Sequence, residues 1–383
     1  MTTKNPMGEE KPVITTGIGR AKGAYRTLPM PVRYAINFAL VAVFIVVGEL
    51  MIDGGAINRY QSTVLQQVGI YVIMAVSLNI ATGYLGQLPL GHAGFMSVGA
   101  FSGTLVYVVM SENAPQPLAL LLAFVVGGAV AGLFGVLVGI PVLRLSGDYL
   151  AIVTLAFGEI VKNVMNACYL GVDSHGLHFS LKDSASLNLE VDGKVLINGA
   201  MGITGIKKAS TFTIGIVLVI ITLLVILNLV NSRAGRAIKA IRDNEIAARS
   251  VGIPITKYKL MAFVTSAVFA GVAGVLYALN YSSLVAKKFD YNTSILILVF
   301  VVLGGIGNLR GSVIAAAVLT VLPELLRSMN DYRMLIYAIV LIVVMIFNQS
   351  PEMIALRKRL TARFRKEDAE GKGAKDKEKK GVA

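Results

Sequence analysis

This sequence is poor in the groups that soluble chemistry depends on. Charged residues make up 15% of the 383-residue chain, against 55% hydrophobic ones. It is therefore far more apolar than a soluble domain of that length and reads as an integral membrane protein. Its single cysteine, Cys168, excludes an intrachain disulfide and any cysteine-cluster metal site. There are three histidines. His175 and His178 lie three apart in a polar loop and read as solvated loop residues rather than a metal site. No apolar run carries the paired carboxylates and histidines of a membrane hydrolase. The form GxxxxGK[ST] is missing, so the chain does not hydrolyse ATP by that route, and no cofactor is expected. Residues 1–32 hold no apolar core followed by a small-residue cleavage site, so no signal peptide is expected to be removed.

What is present is a series of apolar runs long enough to cross about 30 Å of hydrocarbon. They fall at 34–52, 64–82, 92–110, 118–140, 149–168, 211–230, 260–282, 292–309, 312–326 and 334–347, the last two being short. Ten crossings put both termini on one side. Lys and Arg number 26 on that side and 9 on the other, so the positive-inside rule makes it the cytosol. The expected fold is an all-α bundle of about ten transmembrane helices (33–348). It is flanked by a disordered basic arm (1–32) and a disordered charged tail (349–383). The net charge of +14 sits mostly in tails and loops, which argues against a nucleic-acid partner. Within the extracytoplasmic loop 169–210, LNLEVDGKVLIN alternates about Asp192 and Gly193 and predicts a small hairpin.

After the second run comes GYLGQLPLGHAGFMSVGA, whose glycines and Pro89 interrupt the helix. Such a break is tolerated only beside protein or a water-filled cavity, which makes Asn79, Gly83, Gly86, Gln87 and His92 candidates for a translocation path. Asn79 and Gln87 either touch a solute or satisfy freed backbone groups. His92 suits packing or capping better than proton transfer. Gly128, Gly132, Gly135 and Gly139 form small-xxx-small pairs that let another helix approach. Glu159 and Lys162, at i and i+3 within a span, read as a self-neutralising ion pair in preference to an ion-coupling site.

The one long polar stretch in the second half, 231–259, carries seven Lys and Arg residues between two spans. Ser232 suits an N-cap, Gly252 a left-handed end, and Pro254 a stop, so a cytosolic helix is predicted over 234–251. Ile238, Ile241, Glu245 and Ala248 share one face, with Arg242 and Arg249 on another. Two readings stand: a handle for a cytosolic protein, or a basic helix lying on anionic lipid.

GYLGQLPLGHAGFMSVGA, GDYLAIVTLAFGEIVKN, NGAMGITGI, SRAGRAIKAIRDNEIAARSVGI and VVLGGIGNLRGSVIAA, in that order, resemble the branched-chain amino acid ABC transporter permeases of the LivM type. The resemblance spans about residues 64–347. It implies that 231–259 is a coupling loop in which Arg242, Glu245, Ala247, Ala248 and Gly252 dock on an ATPase. It also implies a second, LivH-type permease, two ABC ATPase subunits and a periplasmic binding protein for leucine, isoleucine or valine. Two features depart from the pattern: an insertion at 172–196 and the long N-terminal arm. The alternatives are a related importer for urea, amides or other amino acids, and an ion-coupled secondary transporter. The latter is expected to show an internal repeat, and none is convincing.

Overall fold

The computed structural model describes residues 2–4, 10–12, 54, 58–111, 114–145, 147–173, 176–189, 193–327 and 332–349. The chain divides into two units, Met1–Arg59 and Tyr60–Ala383. In the first, β1 (Thr2–Lys4) pairs antiparallel with β2 (Glu10–Pro12). This is a departure from the disordered arm expected there. The rest of that arm, the first predicted span, and the predicted tail beyond residue 349 lie outside the described residues.

The second unit is helical. Its elements are α1 (Arg59–Asn79), running on through a π-helical turn at Ile80–Tyr84, then α2 (His92–Met110), α3 (Gln116–Val142) and α4 (Asp148–Ala167). There follow α5 (Phe212–Asn231), α6 (Arg233–Asp243), α7 (Glu245–Ser250), α8 (Ile255–Asn280), α9 (Tyr291–Gly304), α10 (Leu309–Leu325) and α11 (Arg333–Gln349). Six of these, α1 to α5 and α8, are long and apolar enough to cross a bilayer. The predicted spans at 292–309, 312–326 and 334–347 appear as helices of 14, 17 and 17 residues. At 1.5 Å per residue, α9 rises only about 21 Å, short of the hydrocarbon thickness. Gly305, at φ 93°, ends α9, and Asn308 caps α10 by accepting from Gly311 N. Gly304 and Gly311 pack backbone to backbone, and a Cβ on Gly311 would lie 2.7 Å from the Gly304 carbonyl carbon.

The core is the trio α2, α3 and α8, and the small residues decide how close the three come. Added Cβ atoms on Gly128, Gly132, Gly135 and Gly139 would meet Val272, Val268, Ala267 and Leu260 at 3.1, 2.7, 2.8 and 2.9 Å. The glycine stripe of α3 therefore descends the length of α8. Gly99 of α2 abuts the backbone of Gly271, and Gly274 abuts that of Met96. Lipid tails are as apolar as leucine, so close van der Waals contact of this kind, rather than a hydrophobic gradient, holds such helices together. Around the trio, Phe95, Phe101, Ile70, Ile73, Met74 and Leu78 are fully buried. On the opposite face of α3, Leu121, Val125, Leu133 and Leu137 are exposed.

A three-stranded antiparallel sheet follows α4, in the order β4 (Gly176–Ser180), β3 (Tyr169–Asp173), β5 (Lys194–Asn198). The expected hairpin would have paired β5 with the residues just before Asp192. Instead β5 pairs with β3, Leu170 opposite Ile197 and Val172 opposite Lys194. Of the stretch meant for the first arm, residues 190–192 lie outside the described residues. Ala185–Leu187 forms a 3₁₀ turn with Leu187 buried, Asn188 is left-handed at φ 45°, and Leu189 packs on Gly171. A last short pair joins β6 (Ile203–Thr204) to β7 (Ser283–Leu284), after the end of α8.

Candidate functional site

The polar stretch after α5 is an elbow of two helices. Ser232 caps α6, its Oγ accepting from Gly235 N at 3.2 Å. The helix predicted over 234–251 is broken at Asn244, whose φ of −158° and ψ of 106° are extended. The side chain explains the break. Asn244 Oδ1 accepts from Ala247 N at 3.0 Å, so Asn244 ends α6 and caps α7. Gly252, at φ +81°, then turns the chain toward Pro254 and α8.

The faces of the elbow are divided as follows. Ile238, Ile241 and Ala248 are buried, as the periodicity requires. Glu245 is held sideways: Lys259 Nζ of α8 donates to its Oε2 at 2.8 Å and Arg249 Nη2 to its Oε1 at 3.4 Å. Lys259 is 6% exposed, so this carboxylate balances a buried cation. Ala247 is exposed, and Ile246 and Val251 are bare apolar side chains at 80% and 75% exposure.

Arg242 joins the elbow to the glycine-rich break. Its Nη1 donates to the carbonyl of Gly83, and its stem covers Gly86, where an added Cβ would lie 2.9 Å from Arg242 Cγ. Lys239 lies 5.5 Å from the centre of the Tyr84 ring. The break is reached from the other side by the α9–α10 connection. Gly307 N donates to Asn79 Oδ1 at 2.9 Å, and Asn79 Nδ2 donates to Ser312 Oγ at 2.8 Å. Gly83 and Gly307 meet so closely that a Cβ on Gly83 would stand 2.5 Å from Gly307 N. Three segments distant in sequence, 79–87, 239–242 and 304–312, thus converge on the Gly83 peptide.

The remaining sequence candidates fall around this knot. His92 is buried with Nε2 3.0 Å from Ser77 Oγ. Next to it, Leu90 N donates to Thr154 Oγ1 at 2.9 Å and Ala93 N to Ser294 Oγ at 3.0 Å. Asn79 and His92 are therefore engaged with protein groups. Gln87 Oε1 is a buried acceptor without a hydrogen-bond partner among the described residues. Glu159 and Lys162 do form an ion pair, on α4 away from the knot, and Glu159 Oε1 also accepts from Tyr291 N at 3.1 Å, tying α4 to the start of α9. His178 Nε2 lies 2.9 Å from Asp173 Oδ2 across the β3–β4 pair, while His175 lies outside the described residues. Sequence reasoning missed Gly307, Ser312 and Lys259. The GGIGN run at 304–308 was the available signal, since Gly305 and Gly307 take φ of 93° and 81°.

Residues 60–345 match the family model described as branched-chain amino acid transport system / permease component. The high-affinity branched-chain amino acid transport system permease protein LivM of Salmonella typhimurium is 32% identical over 353 residues, covering 88% of this chain and 80% of that protein. LivM of Escherichia coli is 32% identical over 351 residues with the same coverage. A probable branched-chain amino acid transport permease protein, LivH of Methanocaldococcus jannaschii, is 26% identical over 283 residues, 73% of this chain and 81% of that one. The glycine break, the elbow and the α9–α10 connection all lie inside the matched region, and the chain belongs to the branched-chain amino acid transport system permease family, as a multi-pass membrane protein.

Proposed function

We propose that this chain is one of two permease subunits of an ATP-driven importer for branched-chain amino acids, in a bacterial inner membrane with both termini in the cytosol. In this reading the described spans, the shorter helices α9 to α11 and the apolar run at 34–52 together make about ten crossings. The partner is a second permease of the LivH type. Two ABC ATPases supply the work, and a periplasmic protein delivers leucine, isoleucine or valine. The relatives' substrates support the choice of solute, and the lack of a P-loop supports the separate motor.

The elbow α6–α7 is the motor's handle. Ile246, Ala247 and Val251 are its contact surface, because exposed apolar side chains beside charged ones suit a protein partner better than water. Glu245, bound to Lys259, fixes the elbow to α8, and Gly252 supplies the exit turn. One observation carries the assignment: Arg242 leaves this handle and donates to the backbone of the glycine break at Gly83. A push on the elbow is thereby delivered to the one place where α1 is interrupted, and Asn79 and Gly307 pass it to the α9–α10 connection.

Reconstitution in liposomes tests the proposal. The two permeases, the ATPases and the binding protein should take up leucine only with ATP inside the compartment that faces the elbow. Uptake by this chain without the ATPases would refute it.

A further inference from the structure

At the end of α8 remote from the elbow lies a cavity of about 530 Å³, within the range of small-molecule sites. Its walls come from α1, α2, α8 and the connection from α8 to α9. Three tyrosines, Tyr71, Tyr277 and Tyr281, and Phe289 supply aromatic surface. The ring centres of Tyr277 and Tyr281 are 4.8 Å apart, and those of Tyr277 and Phe289 5.6 Å. These rings thus form a continuous aromatic wall. The polar groups are few and placed at separate points. Gln67 Oε1 accepts from Tyr281 Oη at 3.4 Å, a long bond that a better donor would displace. Lys288 lines the cavity, is exposed, and its ammonium has no ion pair among the described residues. Among the described residues no carboxylate lines the cavity; the nearest, Asp290, accepts from Thr293 N at 2.9 Å and from Asn292 Nδ2 at 3.0 Å.

This chemistry selects a class of occupant. A solute with a second cationic group would meet the Lys288 ammonium, and the nearest carboxylate, Asp290, is already engaged by Thr293, Asn292 and the Lys162 ammonium, so lysine or arginine is disfavoured. A zwitterion with an aliphatic side chain fits on all counts. Its carboxylate pairs with Lys288, its ammonium faces tyrosine rings and Gln67 Oε1, and its hydrocarbon lies on Phe289 and the aromatic wall. We propose that this cavity is the outward-facing binding site through which the permease accepts a neutral aliphatic amino acid, with Lys288 as its carboxylate anchor. The inference rests on the import function proposed above and adds where the solute is held.

The test uses the full reconstituted complex carrying Ser283→Cys. Ser283 lines the cavity and is exposed, whereas the native thiol, Cys168, is buried. Leucine should slow modification of the new thiol by a charged thiol reagent at least fivefold, and lysine should not. Lys288→Gln should abolish that protection and lower leucine uptake about tenfold, with the complex still assembled. If wild type imports leucine with ATP yet Ser283→Cys is modified at the same rate with and without leucine, the cavity assignment is wrong and the import reading stands. If wild type does not import leucine, the import reading itself fails. Equal protection by leucine and lysine would overturn the role given to Lys288.

Discussion

Single residues set the geometry on which the site depends. Gly83 leaves room for Gly307 and for the Arg242 guanidinium, and a methyl group there has nowhere to go but into Asn79 or the Gly307 backbone. Overpacking of this kind costs about 1–3 kcal/mol. Gly83→Ala should therefore lower the thermal midpoint of the purified complex as well as its uptake. Asp290 offers a different check. Burial raises its pKa, but hydrogen bonds from Thr293 N at 2.9 Å and Asn292 Nδ2 at 3.0 Å, with the nearby Lys162 ammonium, outweigh burial and hold the carboxyl below its ordinary value of 3.8. The cap on α9 is thus at full strength above the unfolded pKa and is lost as the pH falls through the lower, folded one. Hydrogen exchange at the first turn of α9 should stay slow above pH 3.8 and rise only below it, whereas Asp290→Ala should exchange quickly at neutral pH. Much at this scale was legible. Asn79, Gly83 and Gly86 stood out as polar or glycine residues at a helix interruption. Their partners did not, because Arg242 lies 159 positions from Gly83 and Gly307 lies 228 from Asn79, and no local pattern encodes such a meeting.

At the scale of elements, the elbow is the informative case. Periodicity put Ile238, Ile241, Glu245 and Ala248 on one mixed face, of which the isoleucines and Ala248 are buried, yet predicted one rod where there are two helices. Asn244 carried the missing signal. Asparagine hydrogen-bonds its own backbone as readily outside a helix as within one, and here the capping geometry won. Removing that cap with Asn244→Ala should cost about 1 kcal/mol and let α6 run on into α7. Circular dichroism would register a small gain in helix, and ATPase binding should weaken as Ile246 and Val251 rotate. The Glu245–Lys259 pair joins the elbow to α8. Glu245→Gln leaves a buried ammonium without its carboxylate and should destabilise by about 2 kcal/mol, less than for a fully enclosed pair because Glu245 is 41% exposed. Adding Lys259→Met should restore most of the loss. Failure of the second change to rescue the first would mean that the unpaired Lys259 ammonium is not the source of the lost stability. The turn of the hairpin expected about Asp192 lies outside the described residues; alternation marks extended chain and cannot name the partner strand, and β5 pairs with β3.

For the whole molecule, hydropathy and charge bias indicated a multi-pass bundle before any coordinate was known, because length and apolar content are sequence properties. The close trio α2, α3 and α8 was half visible. The α3 stripe announced a helix partner, but only the fold identifies it as α8. The elbow, the glycine break and the α9–α10 connection gather at one end of α8, and the aromatic cavity lies at the other. This 26-residue helix of about 39 Å is the rigid element between them. Under the proposed function, force enters at the elbow and is received at Gly83, to which Arg242 is hydrogen-bonded. A charge-assisted hydrogen bond of that kind contributes about 1.5–3 kcal/mol, and a lost 1.4 kcal/mol is about tenfold in rate. The most direct measurement is ATP-driven leucine uptake by the reconstituted complex carrying Arg242→Ala, with ATPase binding and hydrolysis followed in the same vesicles. The account expects the ATPases to bind and hydrolyse ATP while uptake falls about tenfold; uptake at the wild-type rate would contradict it.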